Sequence, residues 1–358
     1  MKILVLAVGG FHPGYLGCYG NDWIDTPALD LLAAEGIVFD QHYADRPEAA
    51  GARRAWRTGC YHFPLPEAGA ESPAPAAADL VHLLKGAGIR TVLVGESSGP
   101  GAAKFAADWD QHFPVPSRKK GTQLEKTLDS VRQALDQLVA RDRWLLWVEL
   151  GSLRPPWEVP AEYLEPYFLE EIEEEEAEPE EAGSAESQEE VLEPLPAPRA
   201  GFLDPAEETT FARLQRTYAG AVTMLDAGLG HLFEDLEDRG LADQLHLLFT
   251  ADSGLALGEH GLVGDSRPWL HEELFHVPLI LRFPGGAGGG RRCSALTQAV
   301  DLLPTLLEWF GLSGVEVQGR SLGPLLRGEA DQVRAYAAAG LEAGDAVEWA
   351  LRTPGWGF

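Results

Sequence analysis

The sequence ILVLAVGGFHPGYLGCYGN, from Ile3 to Asn21, is an apolar, β-branched run that ends in a glycine pair and a turn. Residues 3–8 predict a buried β-strand, because a short apolar run bounded by turn residues is typical of a sheet core. In open α/β sheets, ligands bind beyond the carboxyl ends of such strands. This strand delivers Gly9 and Gly10 to that edge, so it brings no side chain to a site there.

Apolar runs and helical periodicity alternate along the rest of the chain. Further runs that predict buried strands are residues 91–95, 144–150, 245–251 and 278–283. Segments with helical periodicity are residues 26–36, 79–88, 124–140 and 211–240. The first helix is expected to begin with Thr26 as its N-cap and Pro27 in its first turn. Alternating strands and helices indicate an α/β fold with a mostly parallel central sheet and helices on both faces.

The chain is strongly acidic, which restricts its partners. Its 358 residues carry a net charge of -28 at pH 7. Such a surface repels nucleic acids and anionic membranes, so we expect neither as a partner. No signal peptide is recognised before residue 3, and no apolar run reaches the roughly 18 residues of a membrane span. Cys18, Cys60 and Cys293 lack metal-site or disulfide spacing. We therefore expect reduced thiols and a cytoplasmic location.

Residues 169–200 interrupt the pattern of strands and helices. Thirteen glutamates lie from Glu170 to Glu193, without a lysine or arginine among them. Like charges repel along this segment and few apolar residues anchor it, so it is predicted to be a disordered insertion between a strand and the next helix. The functional alternative is an acidic docking segment.

Blocks of sequence along most of the chain follow one family's pattern. They are LGCYGNDWIDTPALDLLAAEGIVFDQHY (16–43), RRAWRTGCY (53–61), GIRTVLVG (88–95), LWVELGSLRPPWEVP (146–160), FTADSGLALGEHGLVGDSRPWLHEELFHVPLILRFPGG (249–286), VDLLPTLLEWFGL (300–312) and QGRSLGPLLRGE (318–329). In this order they resemble the sulfatase family, within the alkaline phosphatase superfamily. The resemblance implies a main α/β domain over residues 1–330 and a remnant of the family's smaller C-terminal subdomain over residues 331–358. An open strand edge at 346–352 favours pairing with a second copy or with an active sulfatase relative.

The resemblance also implies what an active site would need. Sulfatases hold a hard divalent cation, usually calcium, with oxygen ligands. Their nucleophile is a formylglycine made from Cys or Ser. By position, Gly9 and Gly10 replace two aspartate ligands of the first strand. Ala49 replaces the nucleophile in the motif that ends at Arg53. None of these three side chains can take the family's role, so we expect no metal cofactor.

The remaining site positions are partly kept. Arg53 is retained, and Asp252 is one carboxylate of the second metal pair. Arg154 takes the place of a histidine, and Arg267 and Glu96 take the places of lysines. Arg53, Arg154 and Arg267 predict a vestigial site for sulfate or phosphate. The alternatives are a structural ion pair for Arg53 and a solvated position for Arg154. Asp252 is either a residual metal ligand or a cap of the following turn.

Two histidine motifs are interpreted separately. His260, in GEHG, is expected to have a structural role near the site. In HEELFH, His271 and His276 are five residues apart, whereas the zinc helix HExxH needs a spacing of four. The sequence therefore does not predict zinc at that histidine pair.

These positions favour a sulfatase-like protein that has lost hydrolysis and works in binding, scaffolding or regulation. A first alternative is an active sulfuric or phosphoric ester hydrolase with a rearranged site. In that hypothesis Glu96 or Asp252 activates water, or Thr58 or Cys60 replaces the nucleophile. A second alternative is an interaction protein that works through its acidic insertion.

Overall fold

A computed structural model describes residues 1–61, 78–95, 99, 101–115, 121–169, 192–204, 206–264, 270–343 and 346–357. The predictions for Glu96 and Arg267, and for residues 170–191 of the acidic insertion, lie outside these described residues.

The described elements follow the predicted alternation of strands and helices. The strands are β1 (Lys2–Gly9), β2 (Ile37–Tyr43), β3 (Arg90–Gly95), β4 (Gln111–Pro114), β5 (Trp144–Ser152), β6 (Gly201–Phe202), β7 (Leu245–Ala251), β8 (Ala256–Leu257), β9 (Leu262–Gly264), β10 (Leu279–Arg282), β11 (Arg291–Gln298), β12 (Ala337–Ala343) and β13 (Ala346–Arg352). The α-helices are α1 (Pro27–Ala34), α2 (Ala49–Thr58), α3 (Leu80–Gly86), α4 (Ala102–Phe105), α5 (Gln123–Leu138), α6 (Ala161–Phe168), α7 (Glu208–Asp238), α8 (Glu272–Phe275), α9 (Leu302–Trp309) and α10 (Gly323–Leu326).

The central sheet has the strand order β11-β2-β10-β7-β1-β5-β3-β4. Strand β1 lies inside it and runs parallel to both neighbours, with Ile3 opposite Leu145 of β5 and His246 of β7. Strand β10 is antiparallel to β7 and β2, whereas the other pairs of this sheet are parallel. The predicted α/β fold with a mostly parallel sheet is confirmed. The antiparallel direction of β10 was not predicted.

Both faces of the sheet are covered by helices. Leu4 and Leu6 of β1 belong to a hydrophobic core that includes residues of α1, α5 and α7. Ile3 and Val5 belong to a second core, with residues of α2, α3 and α9. Because successive side chains of a strand point to opposite faces, one apolar strand supports two helical layers.

The start of α1 differs from the prediction in its bonding. Thr26 occupies the N-cap position, but its side chain does not cap the helix. The carboxylate of Asp226, from α7, accepts hydrogen bonds from the backbone N–H groups of Ala28 (3.1 Å) and Leu29 (2.8 Å). These donors lack partners within a helix, so the tertiary contact supplies the cap that Thr26 was expected to provide.

The end of the chain forms a separate two-stranded ladder. The strand predicted at 346–352 is β13, which pairs antiparallel with β12 from Ala337–Arg352 to Ala343–Ala346. Among the described strands, β13 has this one ladder partner, apart from a single bridge between Arg352 and Gly357. The division of the chain near residue 330 stays a prediction. None of the described helices has the combination of length and apolar character that crossing a membrane requires.

Candidate functional site

The carboxyl ends of β1 and β7 bring positions 10 and 252 together. The backbone N–H of Asp252 donates to the carbonyl oxygen of Val8 over 3.0 Å. In return, the N–H of Gly10 donates to Asp252 Oδ1 over 3.1 Å. The two positions to which the resemblance assigns metal ligands are therefore adjacent. Asp252 caps the end of β1 through this bond, which differs from the predicted cap of its own following turn.

The side chain of Arg154 lies against these positions. The N–H of Leu153 donates to the carbonyl of Gly9 over 2.7 Å, which holds the loop after β5 at the end of β1. Arg154 Nη2 lies 2.8 Å from Asp252 Oδ1, and Nη1 lies 3.2 Å from Oδ2. Nη2 also donates to Ser253 Oγ over 2.5 Å. This is a bidentate, charge-assisted pair, so the alternative of a solvated Arg154 is wrong.

Glycine at position 10 leaves room for this arginine. A Cβ at Gly10 would lie 2.7 Å from Arg154 Cγ, closer than carbon atoms approach without displacement. The φ angle of Gly10 is +69°, in the left-handed region that favours glycine. The glycine at position 10 and the arginine at position 154 are thus parts of one arrangement.

The residues at this edge do not fit the family's calcium site. Calcium takes about six to eight oxygen ligands. Gly9 and Gly10 offer no side-chain oxygen, and both carboxylate oxygens of Asp252 contact the guanidinium of Arg154. A divalent cation at Asp252 would have to displace a positive charge that is already in place.

A second ion pair lies near the nucleophile position. Ala49 is the first residue of α2 and presents only a methyl group. One turn later, Arg53 Nε lies 2.6 Å from Glu149 Oε1, and Nη2 lies 3.2 Å from Oε2. Glu149 belongs to β5, where it is opposite Ala7 of β1. Both charged side chains are largely buried, so Arg53 forms the structural ion pair that was one of its two predicted roles.

The replacement nucleophiles considered from sequence lie at the other end of α2 from Ala49. Thr58 Oγ1 donates to the carbonyl oxygen of Arg54 over 2.8 Å. Cys60 is buried, and its sulfur lies 3.5 Å from the carbonyl oxygen of Thr58. These contacts occupy both groups with local backbone and give no support to either as a nucleophile.

A cavity of about 420 Å³ opens beside Arg154. Lys126 and Gln123 of α5, and Trp157 and Glu158 after β5, also line it. Lys126 is largely buried, and it makes no ion pair with any residue that the structure describes. Gln123 begins α5, whose N-terminus is closed by the capping box of Thr122 and Glu125. The cavity thus combines two cationic side chains with one acidic side chain.

The site positions at the carboxyl ends of β1 and β7 lie at the sheet edge where open α/β sheets bind ligands. The profile of the sulfatase family matches residues 3–312. The chain belongs to the sulfatase family.

Individual relatives match parts of the chain or most of it. The N-acetylglucosamine-6-O-sulfatase of Bacteroides thetaiotaomicron is 36% identical over 120 residues, which cover 33% of this chain and 21% of that protein. Human iduronate 2-sulfatase is 25% identical over an alignment that covers 89% of this chain and 70% of that protein. The match to the bacterial relative therefore spans about a fifth of its length.

Solved structures share the fold over nearly the whole chain. A protein solved in complex with its substrate D-glucosamine-2-N,6-O-disulfate superimposes with a TM-score of 0.75 at 21% identity, covering 99% of this chain and 87% of that one. The phosphonate monoester hydrolase of Agrobacterium radiobacter gives a TM-score of 0.75 at 19% identity with the same coverage. At these identities the likeness establishes the fold alone.

Two residues of the site were missed from sequence. Glu149 lies inside the apolar run 144–150, and a buried carboxylate needs a charged partner. That signal was available and pointed to a cation such as Arg53. Lys126 lies between Leu124 and Leu128 on the apolar side of α5, and helical periodicity alone indicates no role for it.

Proposed function

We propose that this sulfatase-family chain does not hydrolyse sulfate or phosphate esters and instead binds an anionic ligand or partner, in a scaffolding or regulatory role. The observation that carries the proposal is the bidentate pair between Arg154 and Asp252. The resemblance assigns a metal ligand to the position of Asp252 and the nucleophile to the position of Ala49, and the ion pair and the methyl group at these positions support the proposal. Metal and nucleophile are separate requirements of the mechanism, so restoring one does not restore the other.

Calorimetric titration of the metal-free protein tests the loss of the metal site. We expect no difference between the wild type and Asp252→Ala when either is titrated with calcium, magnesium or manganese. A binding signal that disappears in Asp252→Ala would contradict the proposal, because it would show that a cation displaces Arg154.

The competing hypothesis is an active hydrolase, which the functions named for the relatives favour. Its test is turnover of aryl sulfate, aryl phosphate and phosphonate monoester substrates with calcium or manganese present. We expect rates at the uncatalysed background. Turnover that Asp252→Ala or Arg53→Ala removes would establish a rearranged active site instead.

The binding half of the proposal concerns the cavity beside Arg154. Sulfate and phosphate are expected to raise the melting temperature, because anion binding to the folded state adds stability. Lys126→Met keeps the apolar stem and removes the charge, and it should abolish this increase. The matched control is Lys104→Met, which removes an exposed lysine on α4. An undiminished increase in Lys126→Met would exclude this cavity as the anion site.

A further inference from the structure

A cluster of two histidines and one glutamate lies outside the arginine pairs. His260 is in a short turn between β8 and β9, His271 immediately precedes α8, and Glu273 is in α8. The imidazole rings of His260 and His271 are stacked, with centroids 4.0 Å apart and planes 11° apart. His260 Nε2 lies 3.8 Å from Glu273 Oε1, and one ligand atom from each residue lies within 4.8 Å of the other two.

One carboxylate oxygen of Glu273 lacks a hydrogen-bond donor among the described residues. Its side chain is only 9% exposed, and Oε1 has no hydrogen-bond partner among the residues that the structure describes. A buried acceptor without a donor costs free energy. The 3.8 Å separation from His260 is too long for a hydrogen bond. A cation between the two groups would satisfy this oxygen.

Close packing of the backbone fixes the position of Glu273. A Cβ at Gly254 would lie 1.9 Å from the carbonyl oxygen of Glu273, and the N–H of Gly254 donates to the carbonyl of Leu274 over 2.9 Å. Helix α8 is therefore held against the segment that follows Asp252. On the other side, His260 has a φ of 56°, and its ring is more than half exposed. Glu273 is thus held in place by backbone packing, while the exposed side chain of His260 leaves the cluster accessible to solvent.

We propose that His260, His271 and Glu273 form a zinc-type metal site. Two imidazoles and one carboxylate are a ligand set that zinc binds, with bonds of about 2.0–2.2 Å and a fourth position left for water. Tetrahedral ligands at such distances lie about 3.3 Å apart, so the ligand atoms have to approach by up to about 1.5 Å, and the stacked rings have to turn so that both nitrogen lone pairs point at the ion. The ion would link the turn before β9 to the start of α8. This site shares no residue with the Arg154–Asp252 pair, and it does not rest on the proposed loss of hydrolysis.

The ligand spacing explains why the sequence did not indicate this site. The pair considered in HEELFH was His271 and His276, but His276 Nε2 lies 3.0 Å from the carbonyl oxygen of Asp40. The ligands proposed here come from positions 260, 271 and 273, which the turn and α8 bring together. Hard cations such as calcium prefer all-oxygen ligands, so the histidines select a borderline metal ion.

Zinc titration of the chelator-treated protein tests the site. We expect one equivalent to bind, a higher melting temperature with zinc, and tetrahedral d–d absorption when cobalt replaces zinc. His271→Ala and Glu273→Gln should each weaken zinc binding by about 100-fold or more, because loss of a direct ligand exceeds the 10- to 100-fold effect of an outer-shell change. His231→Ala, which removes an exposed histidine of α7, is the matched control and should bind like the wild type.

Three results would overturn the proposal. They are no zinc binding by the wild type, equal affinity in His271→Ala, and equal affinity in Glu273→Gln. Equal affinity in the variants would also be the result if zinc bound a thiol instead. Melting temperatures in chelator show whether each variant is folded, so that loss of binding is not confused with loss of structure. His260→Ala is a second ligand variant at an exposed position, and it should also lose zinc binding while it stays folded.

Discussion

Arg154 and Gly10 depend on each other at the level of single side chains. The arginine stem occupies the space where a side chain at position 10 would begin, and its head group neutralises Asp252. An aspartate at position 10 would meet the stem, while a smaller residue at position 154 would leave Asp252 with the Gly10 N–H and Ser253 hydroxyl as its described partners. The two positions therefore have to change together.

A double-mutant cycle measures this dependence. Gly10→Ala should lower the free energy of unfolding by about 1–2 kcal/mol for the left-handed backbone, with a further loss from the contact with Arg154. In an Arg154→Ala background the further loss from the contact with Arg154 should disappear. Chemical unfolding of the four proteins checks this. Gly20→Ala is the control, since Gly20 has a φ of 99° and open space where a Cβ would lie. Equal costs of Gly10→Ala in both backgrounds would contradict the arrangement.

The Arg53–Glu149 pair gives a second prediction at this scale. Arg53→Ala should lower the free energy of unfolding by about 3 kcal/mol, because it removes a bidentate, charge-assisted partner from a largely buried carboxylate. Adding Glu149→Gln removes that charge and should recover part of the loss, as equilibrium unfolding of the single and double variants will show. Arg327→Ala, which breaks an exposed pair with Glu329, should have a much smaller effect. A double variant less stable than Arg53→Ala would show that Glu149 has another essential contact.

Residue identity alone carries part of the interpretation of the site. Gly9, Gly10 and Ala49 offer no metal-ligating or nucleophilic side chain, and their assignment to the family's ligand and nucleophile positions stays a prediction from the resemblance. The role of Arg154 was not predictable in the same way. A solvated arginine and an arginine paired with a largely buried carboxylate have the same letter in the sequence, and only the distance to Asp252 distinguishes them.

At the scale of elements, α1 depends on α7 for its cap. Burial raises the pKa of the Asp226 carboxyl to about 6, although hydrogen bonds from Leu29 and Ala28 lower it. Its ordinary value is 3.8. Between these two values the folded state binds more protons than the unfolded state. The stability that Asp226 contributes is therefore complete below about pH 3.8 and is lost as pH rises towards 6.

The difference between wild type and Asp226→Asn isolates this effect from other titrating groups. From pH 4 to pH 7 the wild type should lose up to about 3 kcal/mol relative to the variant, as two pH units of pKa shift imply. Unfolding free energies at both pH values are the measurement. A difference between the two proteins that does not change with pH would show that the carboxyl titrates at its ordinary value.

The sequence predicted the type of each element where its periodicity was strong. It did not predict the direction of the strands. β1, β3, β5 and β7 lie where their apolar runs predict them, within one or two residues. The run that became β10 looks the same as the others, because both faces of that strand are buried too. Its antiparallel direction is a property of the sheet topology, which apolar periodicity does not encode.

For the whole molecule, the β12–β13 ladder presents an apolar surface. Val347, Trp349 and Leu351 alternate along β13 and are all exposed. Large exposed apolar side chains beside a strand edge favour pairing with another chain. We predict that the protein self-associates through this face, with Val347→Lys shifting it towards monomer. Sedimentation over a range of concentrations is the measurement, with Val139→Lys on another surface as control. A wild type that stays monomeric throughout would contradict this.

Because Arg154 is part of the polypeptide, the positive charge beside Asp252 cannot dissociate from the protein as a bound metal ion can. Its presence there does not depend on the concentration of any ion in solution, as for any tethered group. A cleft that relies on a bound divalent ion changes its electrostatic surface when that ion becomes scarce or is chelated. Under the proposed function, a partner that recognises this cleft would meet the same surface in calcium-rich and calcium-poor surroundings.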